Sequence, residues 1–174
     1  MEQSFKEWAS TLSKKYHEVQ LETIKSVNHS MISFFIDLGK EISNSSFKEK
    51  QNFSFYGDLS KELIESTSKE ILFSPENLAY IEHFYLLSME IYKMLLAENS
   101  ISLDNPEKCI SVSIELSSKL SKITWSHHQV IIDKFFNQPK TAWLFINKVI
   151  DNGWSTDTLL EKIHKEFINN FQCN

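Results

Sequence analysis

The scarcity of turn-forming residues constrains this chain more than any other feature. Its 174 residues include three glycines and three prolines. A fold of many short strands needs turn residues every few positions, so this composition argues against it. No segment of four or more residues combines period-two alternation with β-branched enrichment. We therefore predict an all-α protein, a bundle of six or seven helices forming a single domain over 1–174.

The N-terminal segment predicts one long helix over about 5–43. Ser4 and Glu7 have the spacing of a capping box. Apolar residues follow at steps of three, four and occasionally five, which places them in one stripe along a helix. A stripe of this length must pack against other helices or form the seam of a homodimer. Its members are Phe5, Trp8, Leu12, Tyr16, Val19, Ile24, Val27, Met31, Phe34, Leu38 and Ile42.

Capping residues mark where the later helices begin. Ser, Asn and Asp side chains accept hydrogen bonds from the free amides of a first helical turn. Two of these residues precede a proline, which favours the first helical position. Gly153 suits the left-handed residue that ends a helix. These signals predict helices over about 59–71, 75–98, 106–120, 127–136, 139–150 and 156–170, and the capping residues are Asp58, Ser74, Asn105, Ser126 and Ser155.

The helix pair predicted at 59–71 and 75–98 suggests a helix-turn-helix or winged-helix-like element. In that interpretation the second helix enters the major groove of DNA. This helix carries four glutamates and one lysine, so phosphate groups would repel it. An ordinary antiparallel helix pair is the favoured interpretation.

Two adjacent histidines, His127 and His128, are the first candidates for chemistry. Neighbouring helical side chains point about 100° apart and do not chelate one ion from one face. Our interpretation is structural, with Ser126 capping a helix whose first turn holds both imidazoles, one of them half-buried and hydrogen-bonded. Metal binding or acid–base chemistry is the alternative, and a spatial pairing of Cys109 with a histidine is another. We expect no catalytic residue, no metal site and no cofactor, and therefore no enzyme.

A run of lysines within 119–150 gives the strongest charge asymmetry. The segment has five lysines against one aspartate, in a chain of net charge −5. With Trp125 and Trp143 among them, these lysines could meet nucleic-acid phosphates, and a solvated face over a tryptophan core is the alternative. The sequence lacks arginine, the side chain suited to bidentate contacts with guanine, so binding should be sequence-tolerant. The predicted nucleic-acid-binding residues are Lys119, Lys122, Lys134, Lys140 and Lys148.

Membrane and secretion signals are missing from the sequence. No apolar run reaches the roughly 18 residues of a transmembrane helix. The N-terminus lacks the apolar stretch of a signal peptide. Cys109 and Cys173 form no motif and suit a reducing compartment. We expect a cytoplasmic protein with no membrane contact.

Several short phrases follow the order and spacing of a known family. Val27-Asn28 and Leu38-Gly39 come first, and longer phrases follow. The longer phrases are Tyr56-Gly57 with Leu59-Ser60 and Phe73–Leu78 leading to Phe84-Tyr85, Ile123–His128, and Ile150–Ser155 leading to Leu159.

Through these phrases the chain resembles the N-terminal domain of the YhcG-like bacterial proteins, over about 20–165. That domain normally precedes a PD-(D/E)XK nuclease domain in proteins tied to DNA processing or defence against foreign DNA. The resemblance implies an all-helical, non-catalytic module that contacts DNA phosphates or recruits a nuclease partner. A protein–protein interaction or oligomerisation module without nucleic-acid binding is the alternative. The family pattern has basic residues at or near three places where this chain has Glu76, Glu82 and Thr156.

Overall fold

The part of the chain that the computed structural model describes contains seven helices and no strand. That part is residues 5–45 and 54–172, with side chains described over 23–45 and 54–166. The all-α prediction is confirmed. The helices are α1 Phe5–Ser43, α2 Phe55–Thr67, α3 Pro75–Glu98, α4 Pro106–Leu120, α5 Trp125–Phe135, α6 Pro139–Asn152 and α7 Thr156–Gln172.

The third helix is the centre of the bundle, because α3 contacts α1, α2, α4, α5 and α6. Leu87 and Ile91 are buried on one side of α3 and Glu82 and Leu96 on another, so burial extends around α3 instead of following one stripe. A helix that is apolar on several sides is typical of an interior element. None of the described helices is long and apolar enough to cross a membrane.

A glycine sets how closely α1 approaches α3. A Cβ atom added at Gly39 would lie 2.5 Å from the carbonyl oxygen of Ile81, so only glycine allows this contact. Ile32, Phe35 and Ile42 lie on the same side of α1 and are buried. This close backbone approach turns that side of α1 toward the core.

The apolar stripe predicted for α1 is consequently only partly covered. Met31 and Leu38 pack against the core, because their positions border the buried side. Ile24 and Val27 are 65% and 58% exposed. The stripe members before residue 23, and the capping box at Ser4, lie outside the described side chains and residues.

Three of the predicted capping bonds are confirmed. In each, a side-chain oxygen before the helix accepts a backbone N–H in its first turn, as the cap chemistry requires. Gly153 also adopts the predicted left-handed conformation at the end of α6, with φ 60°. The three bonds join Ser74 Oγ to the Asn77 amide, Asn105 Oδ1 to the Lys108 amide, and Ser155 Oγ to the Thr158 amide, each at 3.2 Å.

Two predicted helix starts are wrong. α2 begins at Phe55 instead of after Asp58, because the buried Phe55 ring packs between α1, α2 and the start of α3. Asp58 lies in the first turn of α2. α5 begins at Trp125, with Thr124 as the extended N-cap residue, so Ser126 lies within the helix.

The helix-turn-helix and winged-helix-like elements are not confirmed. α2 and α3 are consecutive and in contact. Residues 68–74 connect them, beginning with Ser68 in a left-handed conformation at φ 58°. This connection is longer than the three- or four-residue turn of that motif. A wing needs strands, and the described residues contain none.

Candidate nucleic-acid interface

Lys119, the first of the predicted phosphate-binding lysines, is engaged within the protein. Its ammonium group donates a hydrogen bond of 2.8 Å to Asn147 Oδ1 and lies 3.5 Å from Glu115 Oε1. It also lies 4.9 Å from the ring centre of Trp143, a cation–π distance. These contacts engage the ammonium group, so Lys119 can bind phosphate only by breaking them.

Two further lysines of the predicted set also have carboxylate partners. Lys148 forms an ion pair with Glu166 and covers the ring of Phe145 at 4.8 Å. Lys140 lies 3.3 Å from Glu98, in a more exposed pair that contributes little energy. Each partner lowers the positive potential that the sequence run suggests.

Lys122 and Lys134 are exposed and have no ion pair among the described residues. Lys122 precedes α5 and Lys134 lies in its last turn. The length of α5 separates them by about 15 Å, at 1.5 Å per helical residue. The five lysines therefore do not form one continuous free patch.

A groove of about 840 Å³ lies between α1 and the connections that follow α4 and α6. Lys25 and His29 reach it from α1, and Lys122 reaches it from the connection 121–124. Trp154, from the connection after α6, lines the other side. We call this site the basic groove. It brings together two lysines that are far apart in the sequence, and Lys122 is the one member of the predicted set that lines it.

The basic groove has no carboxylate among its described lining residues. A second groove, of about 580 Å³, lies between the end of α1 and α2 and has the opposite charge. It is lined by Glu41, Asp58 and Glu62 against Lys61 alone, and we call it the acidic groove. In a chain of net charge −5, the carboxylate-free lining marks the basic groove as the site suited to anions.

Asn28 fixes one wall of the basic groove. Its Nδ2 group donates to the carbonyl oxygens of Ser121 at 2.6 Å and Ile123 at 3.1 Å. These two carbonyls flank Lys122, so Asn28 holds the lysine's backbone against α1, where Lys25 lies. Sequence reasoning quoted Asn28 within a family phrase but did not predict this role.

His127 joins the opposite wall to α5. Its Nε2–H donates to the Trp154 carbonyl oxygen at 3.0 Å, which leaves Nδ1 to accept from the Thr124 hydroxyl at 2.7 Å in the neutral ring. The Thr124 hydroxyl therefore bonds to a side chain and does not cap a backbone amide of the helix. His127 thus ties the start of α5 to the connection after α6.

His128 lies deeper, below the start of α5. It is 2% exposed, and its Nε2–H donates to the Leu120 carbonyl oxygen at 2.9 Å. Burial penalises the charged ring and lowers the pKa of His128 to about 4. The predicted placement of both imidazoles in the first turn is confirmed, but the expectation of one half-buried ring is wrong, because both rings are buried and hydrogen-bonded.

Asn77 connects two of the family phrases. It belongs to Phe73–Leu78, and it contacts Trp125 in Ile123–His128. The indole Nε1–H of Trp125 donates to Asn77 Oδ1 at 2.8 Å. Asn77 Nδ2 donates in turn to the Leu72 carbonyl oxygen at 2.7 Å. The residues that carry the resemblance therefore connect α3 to α5 and set the positions of the helices.

A carboxylate of α3 is buried where α3 meets α2. Glu82 is 3% exposed and accepts a hydrogen bond from the hydroxyl of Tyr56. Burial, followed by this bond to Glu82, raises the pKa of the Tyr56 hydroxyl. Sequence reasoning noted Glu82 as a departure from the family pattern and missed its structural partner.

Other candidates for chemistry lie apart from one another. The His83 ring packs against Phe136 with 4.6 Å between ring centres. Cys109 is a free, partly buried thiol. Across residues 23–45 and 54–166, no group of three or more His, Cys, Asp or Glu side chains is arranged to hold a metal ion.

Comparison with known proteins identifies the family. No curated protein and no solved structure matches the chain. The family model described as the DUF1016 N-terminal domain matches residues 11–170, a range that contains every phrase quoted above. This is the family of the YhcG-like N-terminal domains, so the predicted resemblance is confirmed. The chain belongs to the DUF1016 N-terminal domain family.

Proposed function

We propose that the protein is a non-catalytic binding module that contacts the phosphate groups of nucleic acid, as part of nuclease-associated systems for DNA processing or defence. The observation that carries this proposal is the basic groove. There Lys25 and Lys122 line one concavity without a carboxylate among the described lining residues.

The chemistry of lysine determines what kind of binding follows. Ammonium groups attract phosphate as point charges and release condensed counterions, so the affinity should fall steeply with salt. Because the sequence has no arginine, it lacks the planar guanidinium fork that is preferred for bidentate contacts with guanine. We therefore expect affinity for many sequences, with phosphate contacts positioning the ligand.

The environment of the two adjacent imidazoles supports a non-catalytic role. His127 uses its ring nitrogens to bind Trp154 and Thr124, and His128 is buried against Leu120. Neither ring offers a free base to a substrate. Recruitment of a nuclease partner belongs to the same proposal, since the family resemblance implies a neighbouring nuclease domain.

A protein-interaction or oligomerisation module is the second candidate function. Exposed apolar pairs at helical spacing favour it, because such pairs suit a partner helix. Ile24 and Val27 on α1 are 65% and 58% exposed, and Ile110 and Ile114 on α4 are 59% and 65% exposed. A concentration-dependent dimer by analytical ultracentrifugation, without nucleic-acid binding at about 50 mM salt, would support this candidate over the first.

Fluorescence anisotropy with labelled DNA tests the proposal, using single-stranded and duplex forms at two salt concentrations. The variant Lys25→Glu/Lys122→Glu should weaken binding by about tenfold or more. It should also lower the slope of log K against log salt by roughly 1.4 for a single strand, at 0.7 for each lost phosphate contact.

The matched control is Lys134→Glu/Lys140→Glu, which makes the same charge change at predicted lysines outside the basic groove. It should reduce affinity by less than about threefold, since screening weakens distant charges. Equal losses in both double variants would show that total charge, and not the groove, determines binding. Absence of binding by the unmodified chain to either form of DNA would refute the proposed function.

A further inference from the structure

We infer that the basic groove takes single-stranded nucleic acid, as a short segment whose bases are unpaired. This inference rests on the proposed function and names the ligand class of the same site. It is carried by the shape of the groove and by the mixture of charge and apolar surface that lines it.

The shape of the basic groove disfavours a duplex. The groove is concave, with α1 on one side and the connection 121–124, the end of α6 and the connection after α6 on the others. A duplex is a convex cylinder, and proteins read it by inserting a protruding helix or ribbon into its grooves. The phosphates of a single strand can enter a concavity and reach Lys25 and Lys122 on its lining.

The apolar lining provides the second reason. Ile24, Ile150 and Trp154 line the same concavity as the lysines, and Ile24 is 65% exposed. A duplex presents phosphate and sugar on its outside and keeps the base faces stacked within. An unpaired strand exposes those faces, which pack on aromatic and apolar side chains beside a charged backbone track.

A third cation lies beside Trp154 without itself lining the groove. The ammonium of Lys162 lies 5.8 Å from the ring centre of Trp154. Lys162 therefore adds positive charge where the indole lines the groove. A volume of about 840 Å³ is within the range of small-ligand sites, so the groove itself holds about two nucleotides.

The direct test compares a labelled mixed-sequence strand of about 20 nucleotides, without self-complementary stretches, with its duplex of equal length, using the full chain at about 50 mM salt. The single strand should bind at least about tenfold more tightly. Equal or tighter binding of the duplex would overturn this inference and leave the proposed function standing. Absence of binding to both would remove the proposed function as well.

The apolar contribution is tested with Ile24→Ser, a change at an exposed position that leaves the charge unaltered. It should weaken single-strand binding by about threefold, because one packing surface for a base is lost. The control is Ile71→Ser, at a side chain 91% exposed in the connection between α2 and α3, which should leave affinity unchanged. Equal effects of the two changes would contradict the packing role.

An acidic polypeptide is the competing occupant, since it would also be attracted by the lysines. Polyglutamate should displace the labelled strand only at about tenfold or higher charge concentration, because it offers no base faces to the apolar lining. Displacement at equal charge concentration would overturn the assignment of a nucleic-acid strand to this groove.

Discussion

The basic and acidic grooves carry opposite charge and lie at opposite ends of the part of α1 whose side chains are described. Lys25 and His29 face the first groove, and Glu41 lines the second. The lysine run of 119–150 looks like the more basic region in sequence, yet carboxylates neutralise three of its five members. The comparison teaches that positive charge without neighbouring carboxylates can arise where helices meet, and that a local run of lysines does not reveal it.

Both grooves depend on how α1 lies against α3, and Gly39→Ala is the strongest way to test this. The added Cβ would meet the Ile81 backbone at 2.5 Å and Tyr85 Cβ at 2.6 Å, so the helices must separate. We expect the free energy of unfolding to fall by about 3 kcal/mol. Urea denaturation followed by circular dichroism measures this change.

The control for Gly39→Ala is Gly57→Ala. A Cβ at Gly57 meets nothing within 4 Å, and this glycine lies in the first turns of α2. Alanine should therefore stabilise the protein by up to about 0.5 kcal/mol. A loss at Gly57 as large as that at Gly39 would contradict the account of the α1–α3 contact.

Acid should weaken the part of the bundle beneath the basic groove. His128 has its pKa lowered to about 4 by burial, against an ordinary value of about 6.5. As pH falls from about 6.5 to 4, His128 therefore binds a proton in the unfolded chain but stays neutral in the folded chain. Stability is complete above that window and decreases within it, by about 2 kcal/mol between pH 7 and pH 5.

The measurement for this pH effect is urea denaturation at both pH values, with His128→Gln as the comparison. Glutamine carries no titratable group, so the variant should start less stable at pH 7 but lose about 2 kcal/mol less on acidification. Identical pH dependence in both proteins would show that His128 is not the group responsible.

Asn28→Ala should have a smaller effect on stability and a selective one on binding. Removing the amide leaves two partly buried carbonyl oxygens, at Ser121 and Ile123, without this donor. We expect a loss of about 1.5 kcal/mol and several-fold weaker single-strand binding, because Lys122 is no longer held beside Lys25. Denaturation and anisotropy measure the two effects.

Asn152→Ala is the control for Asn28→Ala, because its amide bonds the Lys148 carbonyl on an exposed surface. It should change stability by less than about 0.5 kcal/mol and leave binding unaltered. A binding loss equal to that of Asn28→Ala would show that the Asn28 contacts do not position the groove.

The smallest expected effect comes from reversing the charge of the acidic groove. Glu41→Lys/Glu62→Lys adds as much positive charge as Lys25→Glu/Lys122→Glu removes. We expect less than about threefold tighter binding, because these positions lie far from the basic groove and are screened by salt. An increase of tenfold or more would show that binding follows the net charge of the protein.

The predictable parts of the fold were those set by local chemistry. Ser74, Asn105 and Ser155 begin helices because their oxygens reach amides within the same turn. The start of α2 was not predictable in this way, since burial of Phe55 against distant residues extends the helix past Asp58. Tertiary packing overrides a weak local cap.

The site was less predictable, for a related reason. Lys25 and Lys122 become neighbours of one groove only when Asn28 holds the connection after α4 against α1. Periodicity predicted that the side of α1 with Val27 and Phe34 is the packed one, but the buried side is the neighbouring one with Ile32 and Phe35. The contact of Gly39 with α3 determines which side of α1 is buried. A pattern of apolar residues does not encode that contact.

The most direct test of the central claim is an amide chemical-shift map of the protein during titration with a short single strand. The largest shifts are predicted in α1 around Lys25 to His29, in the connection 121–124, and at Ile150, Gly153 and Trp154. Shifts concentrated around Lys134 and Lys140, or in the acidic groove, would contradict the basic groove as the binding site.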